Sequence, residues 1–321
     1  MTGQGVGAKE EPKDKWPGRA SAGPIGKMLR TRDLQITRGR GGGELRDGAN
    51  PLVILHRSAF VDGAGVFDTT TEAAVLRWAA DHRLGQEPAL LQMVTERRTR
   101  AIAALVRQGK GRLEWRRLNA TPQWRMAVGI GNRLNPFEIG LSLHGTYGWP
   151  IIPGSTLKGL TCAWARECGI DRDDPPRFGR IFGLPRIKIR ADSDVGAPTA
   201  ADAPAVPPDR ADGDETATSG DVVFFDALPV SGPVSVARDV VTPHQQPYYN
   251  APQSHAPGEH HQPIPSPFLV VDGGTFAIDL VGPAEDVSAA AEWCATAVDE
   301  LGVGAKTSAG YGYLAAREVQ P

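Results

Sequence analysis

A glycine-rich segment near the C-terminus constrains the fold of this chain more than any other feature. Residues 302–312 read Gly-Val-Gly-Ala-Lys-Thr-Ser-Ala-Gly-Tyr-Gly, with four glycines in eleven residues. Glycine adopts positive φ angles without a steric penalty and lets the backbone approach another group closely. Apolar spacing predicts a helix over Ala284–Leu301 just before this segment, and a strand containing Tyr313 and Leu314 just after it. The segment, called the glycine loop below, therefore connects a helix to a strand.

The glycine loop has the composition of an anion-binding loop. Successive amide N–H groups in such a loop can form a concavity for anionic oxygens, and Lys306 adds a positive charge. Tyr311 is a candidate for stacking on a nucleobase. The candidate binding residues are Gly302, Gly304, Lys306, Gly310, Tyr311 and Gly312. A tight turn without a ligand remains the alternative.

The loop does not match the known nucleotide-binding patterns. A Walker A loop requires Gly-x-x-x-x-Gly-Lys-[Ser/Thr] between a strand and a helix. Here the lysine precedes the last two glycines, and the loop leads from a helix into a strand. A Rossmann fingerprint fails for the same reason of context, so binding of a nucleoside triphosphate is not expected.

A second anion-binding signal is the string Pro-Gly-Ser-Thr-Leu-Lys-Gly at residues 153–159. It opens a predicted helix over Ser155–Cys168, with Ser155 or Thr156 as N-cap and Gly169 as terminator. The N–H groups at a helix N-terminus suit a phosphate. A lysine in the first turn opposes the helix dipole, so Lys158 is better explained by an anionic partner. Gly154, Ser155 and Lys158 are therefore candidate contacts.

The remaining pattern predicts an α+β fold, with a ferredoxin-like or RRM-like sheet carrying long insertions. Helical spacing marks Thr71–Arg83 and Pro88–Gln108, and the second of these carries four arginines on a side that is either solvated or in contact with RNA. Strands are predicted at Trp124–Ile130, Leu141–Leu143, Asp221–Leu228, Phe268–Val271 and Thr275–Val281, the last two joined by a turn at Gly273–Gly274.

Two segments lack the pattern of a packed element. Residues 1–50 are rich in Gly, Pro, Lys and Arg and predict a flexible basic arm, followed by one domain over 51–321. Residues 190–221 are dense in Ala, Asp and Pro and predict a disordered acidic insertion. The loop at residues 242–267 holds His244, His255, His260 and His261, but their irregular spacing without cysteine argues against zinc, and no metal is expected.

Composition indicates an intracellular protein with one basic half. The net charge is −2, yet residues 1–118 hold 21 Lys+Arg against 13 Asp+Glu, whereas residues 119–321 hold 14 against 24. This split predicts an electropositive face for a nucleic acid, unless the two halves neutralise each other. Three cysteines without ligand spacing, no signal peptide and no apolar run of membrane length predict a cytoplasmic protein with reduced thiols.

The two motifs, with the segments between them, resemble the RAMP proteins of type III CRISPR systems. Within that superfamily they are most similar to the sixth-subunit family of type III-B (Cmr) effector complexes. The supporting strings run in order: Asn135–His144, Thr146–Gly148, Pro150–Gly159, Val223–Pro229, Asp239–His244 with Tyr248–Tyr249, Pro263–Pro265 with Phe268–Leu269, and the glycine loop. They extend over residues 124–314, and the order of the whole set makes the resemblance specific.

The resemblance implies a modified ferredoxin-like fold and a structural role in an antiviral ribonucleoprotein. It implies a position near the 3′ end of the guide RNA, beside other Cmr-type subunits, with target RNA as a second candidate partner. Lys158 and Lys306 match motif positions of the family and are assigned RNA contacts, and Arg133 and His144 flank a matching string. One departure is Cys162, which stands where these proteins often place an arginine after the Lys-Gly pair.

The resemblance leaves two other functions open. Some RAMP proteins are ribonucleases, and His144 could act as a general base. No segment matches the aspartate loop with which backbone subunits of such complexes are thought to cut target RNA. We expect a non-catalytic RNA-binding subunit without a cofactor. An endoribonuclease acting on guide or target RNA is the first alternative, and a protein–protein scaffold that does not touch RNA is the second.

Overall fold

The computed structural model describes residues 88–130, 141–184, 218–242 and 265–321, with isolated positions between residues 20 and 84 and between 245 and 263. Most of the predicted basic arm, most of the acidic insertion and the four histidines of the 242–267 loop lie outside the described residues. In the described part of the chain, no helix is long and apolar enough to cross a membrane.

The strands of the described residues form one antiparallel sheet and two small strand pairs. The sheet contains β3 (Glu114–Pro122), β6 (Val223–Phe224), β7 (Leu228–Val241), β8 (Ser266–Gly282) and β9 (Leu314–Val319). Its order is β6-β8-β3-β9, and β7 also pairs with β8. The small pairs are β1 (Ala20–Ser21) with β2 (Phe60–Val61), and β4 (Gly183–Leu184) with β5 (Thr218–Ser219). The mixture of helices and antiparallel sheet confirms the predicted α+β class.

Five α-helices have both ends within the described residues, and a 3-10 helix spans Thr307–Ala309 in the glycine loop. The α-helices are α1 (Pro88–Gln108), α2 (Gly154–Glu167), α3 (Ile170–Asp173), α4 (Pro175–Phe182) and α5 (Ala284–Glu300). The bounds of α1 match the prediction, and α5 ends one residue earlier than predicted. Of the predicted helix Thr71–Arg83, the structure describes residues 76, 79 and 80, and all three are helical.

The main core lies between one face of the sheet and α5. Alternation in β3 and β8 directs Leu118, Phe276 and Ile278 toward this face, where they meet Ala290 and Cys294 of α5. All five side chains are buried. Helix α2 packs on α5 from outside, and the Trp164 indole N–H donates to Glu300 Oε2 over 2.6 Å.

The opposite face of the sheet holds a buried ionic cluster under α1. Asp279 on β8 accepts from Arg98 Nε at 2.6 Å, from Arg117 Nε at 2.7 Å and from Trp115 Nε1 at 2.8 Å. Arg117 stands opposite Asp279 in the register of β3 and β8. Because β3 buries an arginine where alternation requires an apolar residue, the sequence pattern did not reveal this strand.

Strand β8 corrects the prediction of a hairpin at Gly273–Gly274. The two predicted strands are one continuous strand of 17 residues, which pairs with β7 over Ser266–Ala277 and with β6 at Leu280–Val281. Gly274 does have a positive φ of 111°, but it lies beside register shifts in β7 between Ser231 and Val236. The two glycines therefore accommodate an irregular pairing and do not reverse the chain.

Other predicted bounds also change. The segment predicted as a strand over Trp124–Ile130 makes isolated bridges, and so does Leu141–Leu143. The strand predicted at Asp221–Leu228 is the two-residue β6, with the longer β7 beginning at Leu228. Strand β9 begins at Leu314 and leaves Tyr313 in the loop. Residues 218–219, at the end of the predicted insertion, form β5.

The N-cap predicted for α2 is wrong. The helix begins at Gly154 after Pro153 and has no side-chain cap. Proline fits this position because its fixed φ precedes a helical turn without difficulty. Gly169 follows the helix with a φ of 78°, as a helix-terminating glycine does.

Candidate nucleic-acid interface

The glycine loop is fastened along the segment Gln123–Val128. Gln123 N–H donates to Tyr313 O at 2.9 Å, Gly312 N–H to Arg125 O at 2.7 Å, and Ala305 N–H to Ala127 O at 2.9 Å. These bonds run along the segment from its first residue to its fifth. The loop is therefore a packed extension of the sheet.

Most amide groups of the loop bond to the protein itself. The N–H groups of Val303, Ala305, Ala309, Gly310, Tyr311 and Gly312 all donate to backbone carbonyls. An amide that is already bonded does not offer its hydrogen to a phosphate. The predicted anion concavity of successive free amides is therefore wrong for these six positions.

Internal packing explains three of the four glycines. A Cβ on Gly304 would stand 2.4 Å from Ala127 O, and one on Gly312 would stand 2.2 Å from Val303 O. A Cβ on Gly302 would approach Thr307 Cγ2 to 3.0 Å. Gly310 differs, because its nearest neighbour would be the Trp124 ring at 3.9 Å. All four have positive φ, so the loop requires glycine for its own conformation.

Tyr311 anchors the loop through its side chain. Its residue is 8% exposed, and its hydroxyl donates to Asp239 Oδ2 on β7 at 2.6 Å. The ring packs against Phe268 at 6.0 Å and Trp124 at 4.9 Å between ring centroids. A buried ring has no open face for a base, so the predicted stacking role of Tyr311 does not fit this structure.

Asp239 connects the glycine loop, β7 and the segment Gln123–Val128. Arg125 Nη1 donates to the same Oδ2 atom at 2.6 Å, and Val240 N–H donates to Oδ1 at 2.8 Å. Burial opposes ionisation of the carboxyl, but the bonds from Tyr311, Val240 and Arg125 outweigh it and lower the pKa of Asp239. Burial and the bond to Asp239 raise the pKa of Tyr311. The pair is therefore aspartate with neutral tyrosine at pH 7.

Lys306 lies in the bend of the loop with a left-handed φ of 62°. Its ammonium stands 5.1 Å from the centroid of the Phe268 ring, a cation–π distance. Within the described part of the chain it has no carboxylate at ion-pair distance. The half-buried stem and free charge make Lys306 a fixed cation at this surface.

Trp124 is the large aromatic residue exposed beside the loop. It is 50% exposed, its ring contacts Tyr311, and the Arg125 guanidinium lies 5.1 Å from its centroid. The sequence pattern had placed Trp124 and Arg125 in a strand and assigned them no role. The adjacent Trp124 and Arg125, at the start of the matched strings, were the available sequence signal for this site. The bond between Arg125 and Asp239 could be found only in the three-dimensional structure.

The predicted phosphate site at the start of α2 already holds a carboxylate. Gly154 N–H donates to Asp226 Oδ1 at 2.7 Å. A Cβ on Gly154 would stand 2.2 Å from Phe224 O, so the glycine is required by packing on β6. An acidic side chain at a helix N-terminus satisfies the donors and the dipole that a phosphate would otherwise meet. Gly154 is therefore not free to bind an anion.

Lys158 and Ser155 remain on the surface of α2. Ser155 is exposed and Lys158 is half-buried, with no ion-pair partner among the described residues. Cys162 follows one turn later, and burial raises the pKa of its thiol against the opposing fields of Arg166 and Lys158. Arg166, two turns along α2 from Lys158, is an exposed cation whose guanidinium lies 5.5 Å from the centroid of the Phe178 ring.

His144 has a structural role in this arrangement. Its Nδ1 accepts from Thr146 N–H at 3.1 Å and Tyr147 N–H at 3.4 Å, and its ring stacks on Tyr147 at 4.8 Å. Burial lowers the pKa of His144. The imidazole is therefore neutral at pH 7 with its proton on Nε2, and only Nε2–H is left as a donor.

The remaining residues singled out in the sequence lie only partly within the described part of the chain. Arg133 lies outside the described residues. Tyr248 and Tyr249 are helical and contact each other at 5.7 Å, with Tyr249 69% exposed. The described residues contain no group of three or more His, Cys, Asp or Glu that could hold a metal ion.

The ordered motifs and the fold identify the family. The RAMP superfamily model matches residues 106–315, more than half of the chain. This chain belongs to the RAMP superfamily. The matched residues include α2, the glycine loop and the segment Gln123–Val128. They also include the main sheet except for the part of β9 after Ala315.

A relative with a similar sequence is a subunit of a Cmr system. The CRISPR system Cmr subunit Cmr6 of Pyrococcus furiosus is 29% identical over 237 residues, which cover 60% of this chain and 65% of that protein. The match thus spans slightly less than two thirds of the relative's length. It confirms the predicted resemblance to the sixth Cmr subunit at the level of sequence similarity.

Solved structures support the fold. A chain of the type III-B Cmr-beta complex bound to cognate target RNA superposes with a TM-score of 0.50 at 17% identity, covering 86% of this chain and 83% of that chain. The crystal structure of Cmr6 from Pyrococcus furiosus covers 63% of this chain and 97% of its own at 24% identity, with a TM-score of 0.34. The first superposition supports the RAMP fold, and the second is too low to support a conclusion.

Proposed function

We propose that this RAMP protein is a Cmr6-like subunit of a type III-B CRISPR ribonucleoprotein. In this proposal it holds RNA near the 3′ end of the guide, beside other Cmr-type subunits. The observation that carries the proposal is the glycine loop, which belongs to the matched family segment and fixes Lys306 at the surface. The relative with the similar sequence is itself a Cmr subunit.

The arrangement favours binding through charge and shape. Lys306 and Lys158 are cations without ion-pair partners in the described residues, and the exposed Arg166 lies two turns further along α2 than Lys158. Phosphate contacts position a nucleic acid without reading its sequence. A subunit that must accept any guide needs contacts of this kind, because base pairing supplies the specificity.

A non-catalytic role is part of the proposal. General acid–base cleavage of RNA needs a titratable group near the 2′-hydroxyl. His144 uses Nδ1 to cap its own turn, and Asp239 is held by Arg125 and Tyr311. Neither group is free in its present position to take a proton from a substrate hydroxyl.

The test is photo-crosslinking of the assembled complex, purified through a tag on this chain, with mass-spectrometric mapping of RNA-linked peptides. We expect Cmr-type subunits to co-purify and RNA links to fall in residues 302–312 and around Lys158. Co-purification without links to this chain would favour the scaffold alternative. RNA cut by the purified chain, and left intact by a His144→Ala variant, would favour the nuclease alternative.

A further inference from the structure

Trp124 is a large aromatic side chain at the glycine loop that combines exposure with a fixed position. Tyr311 and Phe268, which pack there, are buried at 8% and 4% exposure, and Tyr313 is partly buried, whereas Trp124 is 50% exposed. An exposed tryptophan carries a cost, because about half of its apolar surface meets water. Its place beside a surface cation suggests a ligand that is flat, apolar on its faces and attached to an anion.

The backbone around Trp124 is held on both sides. Gln123 N–H donates to Tyr313 O, and Arg125 O accepts from Gly312 N–H. The residues before and after Trp124 are thus bonded to Tyr313 and to Gly312, the last residue of the glycine loop. Since these two bonds flank a single residue, the direction in which the Trp124 side chain leaves the backbone is set before any ligand arrives.

The ring itself is also held. Tyr311 packs against it with an interplanar angle of 44°, and Arg125 supplies a cation–π contact. Asp239 fixes both neighbours, since its Oδ2 accepts from the Tyr311 hydroxyl and from Arg125. A preorganised ring loses little conformational entropy when a ligand binds. This network gives Trp124 the rigidity of a binding platform.

Gly310 leaves room beside the Trp124 ring because it has no side chain. It is exposed, and a Cβ there would come within 3.9 Å of the Trp124 ring. Lys306 lies four residues earlier in the same loop with its charge unpaired in the described part of the chain. The surface therefore offers a half-exposed aromatic ring on the segment Gln123–Val128 and a cation on the glycine loop bonded to that segment. Proteins hold single-stranded nucleic acids by this combination.

We infer that Trp124 stacks on one unpaired base of the bound RNA while Lys306 faces its phosphate backbone. The inference rests on the proposed RNA-binding function and names a residue outside the two sequence motifs. Because every base has a π face, stacking of this kind tolerates any sequence. It replaces the stacking role that the sequence suggested for Tyr311, whose ring is buried.

The test compares two single-stranded oligomers of about twelve nucleotides, a length in the range of known single-strand sites. One is fluorescein-labelled oligouridylate, and the other has the same sugar–phosphate backbone without bases. Binding to the full chain is followed by fluorescence anisotropy at several salt concentrations. The two probes differ in bases alone, so their affinity ratio isolates the base contacts from the phosphate contacts.

Trp124→Ala is expected to weaken oligouridylate binding about 5- to 100-fold, the range expected for loss of one stacked base. Binding of the abasic oligomer and the slope of log K against log salt should not change. Trp124→Phe should retain most of the affinity. Tyr249→Ala, which removes another exposed aromatic residue outside the loop, is the matched control. If Trp124→Ala fails to fold, Trp124→Leu, which keeps apolar contact but has no π face, replaces it.

Lys306→Ala separates this inference from the proposed function. It should weaken binding of both oligomers. If it does so while Trp124→Ala leaves the affinity ratio unchanged, the stacking inference is wrong and RNA binding stands. If the wild-type chain binds neither oligomer, both fail. Should Trp124→Ala reduce co-purification of Cmr-type subunits and leave both affinities unchanged, Trp124 belongs to a protein interface and the inference is overturned.

Discussion

At the scale of single residues, a buried carboxylate on β8 holds together parts of the fold that the sequence motifs do not include. Asp279 is fully buried and is bonded to Arg98, Arg117 and Trp115. Burial opposes its ionisation, yet the bond from Arg117 and the fields of both arginines outweigh burial and lower the pKa of Asp279. The cluster ties β8 to α1 and β3, which both lie far earlier in the chain.

The lowered pKa values of Asp279 and Asp239 predict a loss of stability in acid. A carboxyl whose folded pKa is lowered stabilises the fold above its unfolded pKa, about 3.9, and this contribution disappears as pH falls through the folded value. We expect the free energy of unfolding, measured with urea, to decrease below about pH 4.

Asp279→Asn should reduce stability at pH 7 by about 3–5 kcal/mol, because Arg98 and Arg117 lose their carboxylate. The loss on going to acid should also be smaller in this variant. Asp272→Asn, at an exposed position of the same strand, is the control and should change little. Equal acid sensitivity of wild type and Asp279→Asn would contradict the assignment.

At the scale of elements, the glycine loop behaves as part of the sheet. Its bonds to Gln123, Arg125 and Ala127 continue the contact of β9 with β3 beyond the last regular pair, Pro122 with Leu314. The bonded backbone therefore holds Lys306 at the surface, although the loop amides themselves do not form an anion-binding site. The loop requires its glycines because all four have positive φ angles and three of them pack closely against neighbouring atoms.

Two glycines of the loop provide a matched pair of substitutions. Gly304 and Gly310 have φ angles of 88° and 90°, so alanine pays a left-handed cost of about 1–2 kcal/mol at either position. At Gly304 the new methyl also meets Ala127 O at 2.4 Å, whereas at Gly310 it has room. Gly304→Ala should therefore lower the free energy of unfolding by about 1–3 kcal/mol more than Gly310→Ala. Urea unfolding measures both, and equal losses would show that the loop is not packed on Ala127 as described.

At the scale of the whole molecule, RNA binding should depend on salt and not on base sequence. We expect the affinity for unrelated guide sequences to be similar and to fall as salt rises, because phosphate neutralisation releases counterions. Lys158→Ala and Lys306→Ala should each reduce the slope of log K against log salt by about one. A strong preference among unrelated guides would refute this prediction.

Arg112→Gln is the charge-matched control for the two lysines. Arg112 is exposed just before β3 begins, whereas the glycine loop borders the end of that strand. Nine residues of extended chain separate the two ends by about 30 Å, nearly four screening lengths at physiological salt. The slope should therefore stay unchanged in Arg112→Gln.

Local pattern was sufficient for elements that follow one regular period. Helices α1 and α5 could be predicted nearly to the residue, since apolar spacing of 3.6 marks one buried face. It was insufficient for β3, where Arg117 occupies a core position because Asp279 pairs with it across the sheet. It was also misleading at Gly273–Gly274, where a bulged partner and not a turn requires the glycines.

The sequence alone determined the family and the α+β class, and it singled out Lys158 and Lys306 as candidates, because these inferences depend on residue types at fixed spacing along the chain. The tertiary structure decided what those residues can do. It showed that Asp226 occupies the helix N-terminus, that the loop amides bond inward, and that Tyr311 is buried while Trp124 is exposed. These outcomes depend on which groups meet across β3, β7 and the loop, and contacts between distant segments leave no period in the sequence.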